Sequence, residues 1–133
     1  MSYVGTDIAT SLQIAPVSKS NSGTASGTVL SRVGYESATF TFLTGAASGS
    51  PTGISISCKV QTGDAADGSD MVDIPGATAT ITAENRAAEI NVDLSGCKKY
   101  VRAYLTVSLS GGTSPSILVA AIAVLGDAKY KPV

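Results

Sequence analysis

Ile54-Ser55-Ile56-Ser57-Cys58-Lys59-Val60-Gln61 alternates a side chain that avoids water with one that tolerates it, four times over. A period of two belongs to an extended strand with one face buried, since successive side chains of a strand point to opposite sides. The same period recurs outward from this stretch. Val101, Ala103, Leu105, Val107 and Leu109 alternate with Tyr100, Arg102, Tyr104, Thr106 and Ser108. Phe40 and Phe42 lie between Thr39, Thr41 and Leu43; Ala77, Ala79 and Ile81 between threonines 78, 80 and 82; Ile90, Val92 and Leu94 around Asn91 and Asp93. The run Ile117 to Leu125 does not alternate, and burial on both faces is expected for it. Gly-bearing breaks separate these runs: Gly45 to Gly49, Gly63 to Ser69, Pro75-Gly76, Ser95-Gly96 and Gly111-Gly112. Asp67-Gly68 reads as a hairpin, and residues 83–89 as a loop. About eight short strands at even spacing predict an all-β fold, a jelly roll or antiparallel β-sandwich.

A chain of 133 residues fills one domain with a real core. Residues 25–133 are read as that sandwich and residues 1–24 as an extended N-terminal arm and loop. The arm carries Val4, Ile8, Leu12, Ile14 and Val17, enough to dock it across a neighbouring subunit or around its own barrel. MSYVGTDIAT lacks a basic start followed by an apolar run, and no apolar run approaches the ~20 residues of a membrane span. The expectation is synthesis in a cytoplasm, with no membrane partner.

Charged residues are only 14% of the chain, so much of the surface must be Ser, Thr, Gly and Ala. Such a surface is cheap to desolvate and suits faces that lie against neighbours. An ordinary Thr-rich exterior fits equally well. A net charge of −1 provides no field to attract nucleic acid. The charge is uneven, however. Asp64, Asp67, Asp70 and Asp73 crowd one loop, while Lys98, Lys99, Arg102, Lys129 and Lys131 follow Cys97, a pattern that permits head-to-tail pairing of copies.

The chain has no histidine, which removes the commonest general base, the commonest zinc ligand and every Ser-His or Cys-His nucleophile. No residue pattern marks a catalytic group, and no cofactor is expected. The Asp64–Asp73 loop reads as a solvated hairpin tip. Calcium is the alternative, although the loop lacks the alternate-residue ligand spacing and closing Glu of an EF-hand. Cys58 falls on the inward side of its strand and reads as a packed thiol. Cys97 follows a turn, and whether the two pair stays open. Tyr100 and Tyr104 flank Arg102 on one strand face, either as a small recognition patch or as an amphipathic sheet surface.

Four segments together resemble a known family. Gly34-Tyr-Glu-Ser-Ala-Thr-Phe40 opens a strand, and Ile54 to Gln61 leads into Asp67-Gly68. Gly96-Cys-Lys-Lys-Tyr-Val-Arg-Ala-Tyr-Leu105 follows, and an apolar last strand closes on Pro132-Val133. Over residues 25–133 the chain resembles the jelly-roll head-decoration (cement) proteins of tailed bacteriophages. One departure is Met71, where an aromatic often follows the hairpin. The resemblance implies a homotrimer on the capsid exterior that clamps adjacent major capsid protein subunits, with no enzyme activity or cofactor. The expected contact residues are Tyr3, Val4, Ile8 and Leu12 on the arm and Lys98, Lys99, Lys129 and Lys131 at the basic end. The competing reading is a carbohydrate- or receptor-binding β-sandwich of a phage tail or adhesin. Five Tyr, two Phe and no Trp count against it, since sugars stack on aromatics.

Overall fold

The computed structural model describes residues 9–32 and 35–128. Among them nine strands form: β1 (Ala9–Ser20), β2 (Thr24–Ser26), β3 (Leu30–Ser31), β4 (Tyr35–Ser48), β5 (Gly53–Gly63), β6 (Val72–Ile81), β7 (Ala87–Asp93), β8 (Tyr100–Ser110) and β9 (Ser116–Ala128). A 3₁₀ turn at Leu94–Gly96 links β7 to β8, with the Asp93 carboxylate accepting from the Ser95 amide at 3.0 Å.

Sheet A has the order β1-β9-β4-β7 and sheet B the order β2-β8-β5-β6, with the two-residue β3 also on β8. All the ladders are antiparallel. With β3 set aside, the eight remaining strands pair first with last, second with seventh, third with sixth and fourth with fifth. One long hairpin, folded over and wound into two sheets, produces this order; it is the jelly roll. The all-β sandwich expected from the period-two runs is therefore the observed fold.

The predicted alternation fills the space between the sheets. Phe40 and Phe42 of β4, both 0% exposed, meet Ile56, Cys58 and Val60 of β5 and the inward residues Val101 to Leu109 of β8 in one core. Gly112 shows how tightly the far loops close. Its φ is +70°, and a Cβ there would collide with the backbone of Gly49 and Ser50, so only glycine fits.

Four expectations differ from what is observed, the first being the loop read over residues 83–89, whose last three residues already belong to β7. The run Ile117 to Leu125 is not buried on both faces: Ile117, Val119, Ala121, Ala123 and Leu125 enter the core, while Leu118 and Ile122 are exposed. Sheet A has one inner face, and among the described residues nothing covers the other.

Residues 9–20, read as part of an arm, form the edge strand β1, paired with β9 from Ala9 to Ser20. Its pattern hides the strand because the ladder shifts between Leu12 and Ile14 and again between Ile14 and Val17. Each bulge reverses the phase of the side chains. Pro16 falls in the second bulge, at a sheet edge where a missing N–H costs no ladder bond. The first bulge turns Gln13 inward until it is 3% exposed. Its Oε1 accepts from the Ala103 amide at 2.9 Å, and its Nε2 donates to the hydroxyls of Ser11 and Thr28 at 3.3 Å each. Gln13 thus fastens the edge of sheet A to β8 of sheet B.

Asp67-Gly68 lies at the β5–β6 tip but does not form a two-residue hairpin. Residues 64–71 make a wider loop, in which Gly68 donates to the Ala65 carbonyl at 3.1 Å and only Gly68 of the pair has positive φ.

Candidate interaction surfaces

The outer faces of the two sheets are chemically opposite. On sheet B, Lys59 and Gln61 of β5 lie between Arg102 and Tyr104 of β8 and Asp73 of β6. The Lys59 ammonium is 3.1 Å from the Asp73 carboxylate and 5.0 Å from the centre of the Tyr104 ring. Gln61 donates to Asp73 at 2.9 Å and accepts from Arg102 Nε at 2.9 Å. Hydrogen bonds from Gln61 and Lys59 hold the Asp73 carboxyl below its ordinary range. Arg102 and Tyr104 therefore belong to a polar lattice tied together within the sheet, in keeping with the amphipathic-surface reading.

Sheet A presents the reverse. Its register sets Val124 beside Thr39, Ile122 beside Thr41 and Ala120 beside Leu43, and Gly45 faces the Leu118 side chain on the next rung. Leu12 of β1 flanks Ile122. Leu12 is 56% exposed, Leu118 44%, Ile122 40% and Leu43 37%, four of the five large exposed hydrophobic residues among those described. A shallow apolar depression lies between Pro16, Leu43, Gly45, Leu118 and Ala120. Across these rungs Glu89, on the edge strand β7 beside Thr41, is the one charged residue.

The charged groups gather at one end of the sandwich. Gly63, where β5 ends, is paired with Tyr100, where β8 begins, so the acidic loop and the Lys98-Lys99 turn are neighbours. The Lys98 amide donates to Thr62 Oγ1 at 2.8 Å. Arg32 clamps the same turn, donating from Nε to the Lys98 carbonyl at 2.8 Å and from Nη2 to the Cys97 carbonyl at 2.9 Å. The Lys98 and Lys99 side chains remain exposed. Asp70 accepts from the amides of Ala65 and Asp64 at 3.0 Å each, which pulls its carboxyl below 3.8, and the nearby Lys98 charge lowers it further. Among the described residues, the acidic loop and the Lys98-Lys99 turn thus stand together at one pole of the sandwich.

The described chain enters β1 at Ala9 and leaves β9 at Ala128 at this same end, since Ala9 pairs with Leu125, and Ala128 with Tyr35 at the start of β4. Of the expected contact residues, Lys98 and Lys99 stand at this pole and Leu12 on the apolar face. Tyr3, Val4, Ile8, Lys129 and Lys131 lie outside the described residues.

Asp67 accepts from the Ser69 amide at 2.9 Å, so the carboxylates of Asp67 and Asp70 serve their own loop. Among the described residues no three His, Cys, Asp or Glu are placed to hold a metal ion, and no helix is long and apolar enough to cross a membrane. Both cysteines are free, which answers the pairing left open by the sequence. Burial pushes the Cys58 thiol up to about 12. Burial also raises Cys97, against the nearby Arg32 charge, but that thiol is only half-buried. Because the thiolate is the reactive form, iodoacetamide at neutral pH is expected to label Cys97 first and to spare Cys58 until the protein is unfolded. Peptide mass mapping over time reads the order directly, and early labelling of Cys58 would contradict it.

No family model and no curated protein sequence matches the chain. Among solved structures it is similar to the PBSX exported protein XepA, at 11% identity and a TM-score of 0.63 over 94% of this chain and 39% of XepA. Looser similarities include the SPBc2 prophage-derived protein YomS, at 16% identity and a TM-score of 0.45 over 89% of this chain and 93% of YomS. A structure of infectious bursal disease virus (Gx strain) gives 13% identity and a TM-score of 0.49 over 93% of this chain and 34% of that one. The chain thus spans about two-fifths of the length of XepA, and what it shares with XepA is the fold.

Proposed function

We propose that the protein is a structural component of a tailed-phage virion, a decoration or cement protein that sits on the capsid exterior and ties neighbouring major capsid protein subunits together. The observation that carries this reading is the gathering of exposed Lys98 and Lys99 with the points where the chain enters β1 and leaves β9. Segments bearing Tyr3, Val4, Ile8, Lys129 and Lys131 start beside a rigid, charged pole, so one end of the sandwich can grip a shell while its sides stay clear. The similarity in fold to the PBSX exported protein XepA supports the sandwich architecture on which this reading rests. A shell packed with DNA fails where neighbouring subunits part. A protein bridging those seams adds interface that must break first, and many copies of a modest contact make the effect large.

The test is to heat virions with and without this protein in parallel while DNA release is followed by dye fluorescence. Release at a lower temperature from the bare particles is expected, with restoration on adding back the wild-type chain but not Lys98→Glu/Lys99→Glu. Equal release temperatures would remove the reading.

A further inference from the structure

Sheet A's outer face is apolar and, among the described residues, uncovered. We infer that two copies of this chain pair face to face through the β4 and β9 strands of sheet A, about a two-fold axis that runs along the strands between them.

Val124 stands beside Thr39, Ile122 beside Thr41 and Leu118 beside Gly45, so on these three the larger residue is on β9. On the remaining rung Leu43 stands beside Ala120, and the larger residue is on β4. Three of the four rungs therefore offer one large and one small side chain, and on the fourth Val124 and Thr39 are nearly equal in size. A rotation of 180° about an axis between β4 and β9 lays each residue of β9 over its rung partner on β4 of the other copy. Ile122 then covers Thr41, Leu118 covers Gly45 and Leu43 covers Ala120, large on small at three levels and twice over by symmetry, while Val124 meets Thr39, a residue of nearly its own size. The depression beside Gly45 and Ala120 receives leucines rather than remaining open. No charge is buried at the centre, and Glu89 falls at the rim on an edge strand.

The face has the size such a contact needs. Four strands spaced about 4.8 Å apart, over the roughly 25 Å from residue 116 to residue 124, make about 500 Å² per copy and about 1,000 Å² per pair. That is the lower bound for a specific interface, so micromolar pairing is expected. Because the axis runs along the strands, both charged poles face the same way, which leaves each free to meet a common surface. This is a pair, where the family resemblance implies three copies.

Sedimentation equilibrium of the full chain from 1 to 200 µM tests the inference. A monomer–dimer equilibrium is expected. Leu12 and Ile122 are exposed, so Ile122→Lys and Leu12→Glu should retain the wild-type circular dichroism. Ile122→Lys should weaken pairing at least 100-fold, and the more peripheral Leu12→Glu, laid over Glu89 of the other copy by the same rotation, about 10-fold. A rung swap provides the sharper control. Thr41→Ile alone sets Ile against Ile and should weaken pairing about 10-fold, whereas Thr41→Ile/Ile122→Thr restores large on small and should return to within about 3-fold of wild type. A monomer at every concentration, a trimer, a dimer indifferent to Ile122→Lys, or a swap weaker than both of its single variants would each overturn the inference.

Discussion

Phe40→Ala is expected to lower the unfolding free energy by about 3–5 kcal/mol, a loss that only the equally buried Phe42 could match. The reason begins in composition: two Phe, no Trp and a core of Val, Ile, Leu and Ala leave few residues able to span the gap between the sheets. Phe40 is fully buried and sits on a rung with Ala123 of β9 on one side and Ile90 of β7 on the other. Alanine at position 123 cannot expand into the space a missing ring leaves, so the cavity persists and its cost adds to the lost transfer energy. Against the roughly 5–15 kcal/mol typical of a domain this is about a fifth or more of the total, enough to bring the variant markedly closer to its unfolding threshold at 37 °C. Urea denaturation followed by circular dichroism measures the loss as a lower midpoint at unchanged slope. A loss below about 1 kcal/mol would show that this part of the core collapses to fill the void.

Gln13→Leu is expected to cost about 1–3 kcal/mol although it keeps the size of the side chain and makes it more apolar. The Ala103 amide is buried and receives its acceptor from Gln13 Oε1, so leucine strands an N–H away from water. The effect should be local as well as global. Hydrogen exchange at the Ala103 amide is expected to quicken more than at Val107, whose amide donates to the Gly23 carbonyl and does not depend on Gln13. Uniform acceleration of both amides would mean that Gln13 contributes bulk alone.

Sequence reading and structure agree where pattern and environment share one period. On β5 and β8 every predicted inward residue from Ile56 to Val60 and from Val101 to Leu109 is buried, because these central strands of sheet B pack on one face and meet water on the other. β1 was hidden because two bulges break its phase, and its most informative residue, Gln13, looks polar and reads as surface. The run in β9 misled differently. Its apolar residues on both sides do reflect two apolar faces, but one of them belongs to the outside of a single chain. Leu43, on the supposedly polar side of β4, was the accompanying signal, legible only once the register sets it beside Ala120. The Lys98-Lys99 turn was visible through Ser95-Gly96, whereas its closeness to the acidic loop depends on β5 pairing with β8 forty residues away in sequence, which no local pattern contains.

The proposed place of this jelly roll is the exterior of a phage capsid, with the charged pole gripping the shell. Cryo-electron microscopy of virions that carry the protein tests it most directly. The account predicts a sandwich-sized density on the outer surface over the seams between major capsid protein subunits, with the turn at Lys98 and Lys99 directed toward the shell. A bare capsid surface, with the protein absent from the particle or confined to the tail, would contradict it.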